Sequence, residues 1–215
     1  NNNRFDLVFM NKKILLVGGC GFIGHNLAIH LKKMGADPII VDSLAVNNIL
    51  SFADNEIKNK KLYSSILNNR IELLNSNKIK LIIQDARDYH AISKIYQDIN
   101  PDIIIHLAAV SHANKSNKDP HSTFDHSFRT LENTLDYAKK NKTHTIYMSS
   151  SMVYGNFESE DVKEDRRCKP IGIYGTLKYS GELLVKAYSD VFGLPYTIIR
   201  PSALYGERCV SRRVG

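Results

Sequence analysis

The sequence predicts an α/β chain built on a doubly wound parallel sheet, and three observations carry that prediction. Short apolar runs recur at Ile14–Val17, Asp37–Val41, Ile79–Ile83, Asp102–Leu107, Thr143–Ser149 and Pro195–Ile199. Segments with helical apolar spacing separate most of these runs, and such alternation gives parallel strands joined by helical crossovers. A glycine-rich stretch, GGCGFIG at 18–24, stands between the first strand and the first helix.

That first turn is the most informative part of the chain. A tight strand-to-helix turn needs a residue without Cβ at Gly18, an anion approaching the backbone needs another at Gly21, and close packing of helix on strand needs a third at Gly24. The helix begins at Phe22 and Ile23, where free N–H groups and a partial positive charge favour a pyrophosphate. The second strand ends in Asp42, followed by Ser43. A carboxylate at that tip accepts hydrogen bonds from both hydroxyls of an adenosine ribose and repels a 2′-phosphate, so it selects NAD over NADP. The plainer alternative is a βαβ unit with an acidic loop residue.

Residues 43–78, rich in Asn and Lys, read as a surface excursion with one amphipathic helix around ILNNRIELL. The third strand runs into Asp85-Ala86-Arg87-Asp88, a helix spans Tyr89–Ile99, and the fourth strand is nearly all apolar, as one covered on both faces must be. Small residues at Ala108 and Ala109 let something bulky lie against its end. One long helix is expected over Pro120–Asn141 and another over Ile173–Phe192. Ligands of such sheets sit at the carboxyl ends of the strands, so Gly18–Gly24, Asp42, Asp85, Leu107–Ala109, Ser149–Ser151 and Arg200-Pro201 are the positions to watch.

The last helix carries Tyr174 and Lys178, four apart and therefore on one face. A phenol titrating near 10 is a poor base at neutral pH, and a neighbouring ammonium stabilises its phenolate. Tyr174 can then take a proton from an alcohol while hydride leaves the same carbon. Lys178 can also hold a nicotinamide ribose. Ser150, at the end of the fifth strand, is placed to hydrogen-bond the same oxygen.

Composition narrows the class. The chain of 215 residues suffices for one α/β domain with a real core. A net charge of +7 comes from 29 basic residues spread among 22 acidic ones, which argues for solvated surface rather than a nucleic-acid interface. No run reaches transmembrane length and no signal-peptide pattern appears, so the expectation is a cytoplasmic protein without membrane contact. Cys20, Cys168 and Cys209 lack metal-ligand spacing and read as reduced thiols, with no metal expected. Residues 1–9 read as a leader or an expression-derived tail before Met10, residues 10–208 as the nucleotide-binding domain with its catalytic helix, and residues 209–215 as the start of a truncated or disordered substrate-binding region.

Taken in order, GGCGFIG, Asp42, DARD (85–88), HLAA (106–109), SSSMVYG (149–155), YGTLK with SGE following (174–182) and RPSALYG (200–206) resemble the extended short-chain dehydrogenase/reductase family, in its NAD-dependent sugar-nucleotide epimerase/dehydratase group. The resemblance covers about residues 12–208 and implies a Rossmann-type fold whose small C-terminal substrate domain is largely absent from this chain. It implies that Asp85 and Ala86 contact adenine and that Leu107, Ala108, Ala109 and Ser149 line the cofactor. Pro201 would lie near the nicotinamide, and Tyr174, Lys178 and Ser150 would form the catalytic set. Substrate would meet Ser111, His112, Ser150 and Ser151, with His112 either a contact, a second acid/base or a loop histidine bonded to backbone. The usual chemistry of the group is transient oxidation of a sugar carbon, commonly C4, with NAD reused.

Members resembling 4,6-dehydratases place an Asp-Glu pair just after the strand-end hydroxyl residue, because losing water needs an acid and a base there. This chain has Ser151 and Met152, which favours epimerisation, although Ser111–Ser116 is similar to the dehydratases' loop. The group's helix asparagine corresponds to His126 or Ser127, and its RP-x-N-x-YG asparagine to Ala203. A 4,6-dehydratase or ketoreductase, and a non-catalytic NAD-binding regulator, are the alternatives. The resemblance also implies a homodimer through the helices that begin near Pro120 and Ile173.

Overall fold

Runs of Ile, Leu and Val form the inner strands, and there Leu15, Leu16, Val17, Ile40, Val41 and Ile104 are all fully buried. The computed structural model describes residues 8–46, 48–52, 59–110, 113–157 and 162–210. The chain divides into two compact units, residues 1–107 with 205–215, and residues 108–204.

In the first unit, strands β1 (Lys13–Val17), β2 (Asp37–Asp42), β3 (Lys80–Ile83) and β4 (Ile103–His106) are parallel in the order β3-β2-β1-β4. The order reverses between β1 and β4, and Leu107 continues the pairing by donating its N–H to the Val17 carbonyl at 2.8 Å. Helices α1 (Phe22–Lys33), α2 (Lys60–Ser76) and α3 (Tyr89–Ile99) connect them, with a 3₁₀ turn at Ile49–Phe52. Helix α3 shows why a helix forms here: Asp88 caps it by accepting from the Ala91 N–H at 3.0 Å, and Ile92, Tyr96 and Ile99 make a buried stripe at helical spacing.

Within the stretch 43–78, the one amphipathic helix expected around ILNNRIELL is α2. It extends beyond that segment on both sides and buries Leu67, Arg70 and Leu74. Residues 47 and 53–58 lie outside the described residues.

The second unit pairs β5 (His144–Met148) with β6 (Tyr196–Ile199) in parallel. Its helices are α4 (Ala113–Lys118), α5 (Pro120–Phe124), α6 (Thr130–Asn141) and α7 (Gly172–Phe192), with a 3₁₀ turn at Ser151–Tyr154. The single long helix expected over Pro120–Asn141 is instead α5, a π-helical turn at Asp125–Arg129, and α6. A π turn accommodates one extra residue, and such turns often mark functional positions. Gly181 lets α7 lie against β5, since a Cβ there would strike the Tyr147 hydroxyl.

Candidate active site

The glycines of the first turn have different jobs. Gly18 sits at φ +76°, the left-handed region that excludes side chains at little cost only for glycine. A Cβ on Gly24 would meet the carbonyl and Cα of Gly19, and one on Gly19 would come within 2.7 Å of the Leu16 Cβ. The packing demand on Gly24 thus comes from the turn's own backbone, and Gly19, which spacing did not single out, shares it. Gly21 differs. Its φ is −74°, and a Cβ there would approach nothing nearer than the Gly18 carbonyl at 3.7 Å. Among the described residues neither packing nor backbone conformation requires glycine at that place. No side chain caps α1 and no acidic residue lies in its first turn, where Phe22 and Ile23 stand half-buried.

Asp42 holds this turn through both carboxylate oxygens. Its Oδ2 accepts from the Cys20 N–H at 2.9 Å and its Oδ1 from the Leu44 N–H at 2.8 Å. A carboxylate has about four acceptor positions, and among the described residues these two N–H groups take one on each oxygen. Burial raises its affinity for a proton, and the two N–H groups oppose that. Ser43 accepts from the Ala45 N–H. Asp85 is gripped by Arg87, whose Nε lies 3.1 Å and Nη2 2.7 Å from its carboxylate, and Ala86 beside it is buried.

A cluster behind α1 was not foreseen. Buried Arg70 donates to the Arg208 carbonyl at 2.6 Å, and Arg208 in turn donates to the His25 Nε2 at 2.9 Å and the Asn26 Oδ1 at 2.8 Å. These bonds lash residues 207–208 onto the helix that opens at the glycine turn. His25 must be neutral, with its Nδ1–H donating to the Gly21 carbonyl at 2.8 Å. Burial pulls its pKa down to about 4. The unfolded chain therefore binds more protons than the folded one between about pH 6.5 and 4, and stability falls as pH drops through that window. The wild type is expected to lose on the order of 2 kcal/mol between about pH 7 and pH 5 from this group. Urea midpoints for wild type and His25→Gln test it: equal losses in both would refute the assignment.

In the second unit, Ser149 and Ser150 are buried at the end of β5. Ser150 Oγ accepts from the Met152 N–H at 3.2 Å, capping the 3₁₀ turn and leaving its own O–H to donate. Half-buried Ser151 donates its N–H to the Pro201 carbonyl at 2.9 Å, which ties the β5 end to the segment after β6. Helix α7 starts without a side-chain cap of its own, and Asn117 of α4 accepts from the Ile173 N–H at 3.3 Å instead. A Cβ on Gly175 would come within 2.8 Å of the Met152 carbonyl, so glycine there lets α7 close on that turn. Lys178 is buried, donates to the Met148 carbonyl at 2.7 Å, and stands 6.0 Å from the centre of the half-buried Tyr174 ring. Burial lowers its pKa to about 8, still mostly ammonium at neutral pH. The structure thus brings Tyr174, Lys178 and the β5 end carrying Ser150 into one unit.

Of the remaining expected residues, Leu107, Ala108, Ala109 and Pro201 are half-buried beyond the strand ends. Ser111 and His112 lie outside the described residues. Between His126 and Ser127, it is Ser127 whose Oγ accepts from the Val110 N–H, at 3.3 Å. The π turn explains why spacing left that choice open. No helix among the described residues is long and apolar enough to cross a membrane.

Residues 14–214 match the model of the NAD dependent epimerase/dehydratase family. Protein CapI of Staphylococcus aureus is 33% identical over 196 residues, covering 90% of this chain and 54% of that protein. A putative UDP-glucose 4-epimerase of Methanocaldococcus jannaschii is 31% identical over 198 residues, covering 91% of this chain and 57% of its own length. Among solved structures, a UDP-glucuronic acid 4-epimerase from Bacillus cereus in complex with UDP-glucuronic acid and NAD is 29% identical with a TM-score of 0.72, over 87% of this chain and 55% of that one. The chain spans about half the length of the curated relatives it matches.

Proposed function

The chain belongs to the NAD-dependent epimerase/dehydratase family, and on that premise we propose that it is the NAD-binding and catalytic part of a sugar-nucleotide epimerase. Gly18, Gly21, Phe22, Ile23 and Gly24 would take the pyrophosphate, Asp42 with Ser43 the adenosine ribose, and Asp85 with Ala86 the adenine. Leu107, Ala108, Ala109, Ser149 and Pro201 would line the remainder, and Lys178 would hold the second ribose. The open space over Gly21 and the Asp42 carboxylate at the end of β2 support that fit.

When bound, NAD supplies a reversible acceptor for the hydride of the sugar carbon. Tyr174 as phenolate takes the hydroxyl proton of that carbon and later returns it. Lys178, held by the Met148 carbonyl, keeps a positive charge beside the ring and so favours the phenolate. Ser150 donates its O–H to the reacting oxygen. Return of the same hydride to the opposite face of that carbon, with Tyr174 giving back the proton, would invert it. Neither Ser151 nor Met152 can supply the acid and base that loss of water requires, which supports epimerisation over 4,6-dehydration. The observation that carries the reading is Lys178, buried beside Tyr174 and bonded to the strand that ends in Ser150.

The test is product analysis of the whole protein, with any sequence beyond Gly215 included. It would be incubated with UDP-glucose, UDP-glucuronic acid, dTDP-glucose and GDP-sugars. An epimer without net NADH is expected; net NADH or a 4-keto-6-deoxy product would turn the assignment to a dehydrogenase or dehydratase. A homodimer belongs to the same reading, supported by Phe124, Leu183 and Val191 exposed on α5 and α7.

A further inference from the structure

Glu182 has no role in the chemistry above, yet its side chain is fully buried. It lies on α7 four residues beyond Lys178 and eight beyond Tyr174, hence on their face of the helix. Its carboxylate accepts from Ser149 Oγ at 2.6 Å and from both prongs of Arg200, Nε at 2.9 Å and Nη2 at 2.7 Å. Arg200 spends its remaining nitrogen, Nη1, on the Tyr154 hydroxyl and the Glu164 carbonyl, each at 2.9 Å, and stacks over the Tyr154 ring. A buried ion pair returns little net stability over an apolar pair of similar size, because desolvation offsets the attraction. What such a pair does provide is fixed geometry.

That geometry converges on one strand end. The Met148 carbonyl holds Lys178, Ser149 is tied to Glu182 by its hydroxyl and to the Ile199 carbonyl by its N–H, and Ser151 is tied to the Pro201 carbonyl. Ser150 is therefore pinned on both sides, through α7 and through the continuation of β6. We propose that Glu182 and Arg200 form a charge-balanced clamp that positions Ser150 and Lys178 for proton transfer at Tyr174. They are positioning residues, and the inference rests on the catalytic reading of Tyr174, Lys178 and Ser150. The titratable and charged groups around Glu182 are Tyr147 from β5, Tyr154 from the 3₁₀ turn, Cys168 from the segment before α7, Arg200 after β6, and Lys178 and Lys186 on its own helix.

Charge balance makes a signed prediction that mere packing does not. In Glu182→Gln the guanidinium is left uncompensated and favours the phenolate, so the acid limb of the kcat/KM profile moves to lower pH by about half a unit or more. In Arg200→Gln the uncompensated carboxylate moves it to higher pH, and the double variant returns it. Lost positioning lowers kcat by about 10- to 100-fold in the single variants, with KM and the calorimetric NAD affinity within about threefold of wild type. These measurements use the whole protein and whichever of UDP-glucose, UDP-glucuronic acid or dTDP-glucose it turns over. Single variants that fold as wild type by circular dichroism and keep kcat and the limb in place overturn the clamp, as do limbs that move in the same direction. Should a single variant not fold, Ser149→Ala removes only the hydroxyl bond to Glu182 and is expected to lower kcat by about 3- to 10-fold at constant KM; an unchanged kcat overturns the proposal. A Tyr174→Phe variant with full turnover overturns the catalytic reading and the clamp with it. An inactive Tyr174→Phe beside unaffected clamp variants overturns the clamp alone.

Discussion

Tyr174→Phe is expected to lower turnover of the whole protein by about a thousandfold while leaving NAD affinity within about threefold, since positioned proton transfer contributes roughly 10²–10⁴ in rate. The substitution removes one oxygen and little else. The ring that faces the Lys178 ammonium at 6.0 Å is retained, as is its packing at the start of α7. Glycine at 175 still lets that helix close on the Met152 carbonyl. On the proposed mechanism, loss of the hydroxyl would leave Lys178 no phenolate to stabilise and the substrate hydroxyl no base. Parallel measurement of kcat and of NAD binding by calorimetry separates the outcomes. Loss of kcat with retained binding supports catalysis by Tyr174, and unchanged turnover would remove Tyr174 from the chemistry. NAD binding by a wild type with no measurable turnover would make the chain a non-catalytic NAD-binding regulator.

The second large effect contrasts two glycines three residues apart. Gly24→Ala places a methyl against the Gly19 backbone, where no flexible side chain can yield. Even after the helix-propensity gain of roughly 1 kcal/mol for alanine over glycine, the net cost is expected to be about 3 kcal/mol or more. For a chain of this size that is a fall in Tm of roughly 6–12 °C. Gly21→Ala meets nothing nearer than 3.7 Å and has an ordinary φ, so its Tm should stay within about 2 °C of wild type. Its methyl would enter the space proposed for the pyrophosphate, and NAD affinity is then expected to fall by about 10- to 100-fold. Thermal melts and NAD titrations of the two variants decide the matter. A Gly21→Ala protein that binds NAD as tightly as wild type would remove the proposed pyrophosphate site from this turn.

Much of this was legible before any fold was known. Parallel strands covered on both faces must be apolar, so β1, β2 and β4 appear in the sequence to within a residue at each end. Strands β3, β5 and β6 do so by their shorter apolar content, despite exposed or polar positions such as Ile83, Thr145 and Ile199. Tyr174 and Lys178 were legible because a four-residue spacing on a helix brings two side chains onto one face whatever surrounds them. Asp42 was legible as the strand-end carboxylate, but its bonds to the Cys20 and Leu44 N–H groups were not. Arg70 could not be read as buried, because an arginine amid Asn and Lys looks like surface until the Arg208 carbonyl comes to it across 138 positions of chain.

The sequence by itself determined the strands, the glycine turn, the acidic strand tip and the Tyr-Lys pair, because each depends on local periodicity or on one residue's own stereochemistry. Tertiary structure alone decided which glycine yields to backbone and which to open space. It also decided that a π turn sets Ser127 against Val110, and that Glu182 and Arg200 grip the strand end beneath Ser150. Those outcomes depend on distances between segments remote in the chain, and burial gives a carboxylate or a guanidinium its partner only after the segments have met.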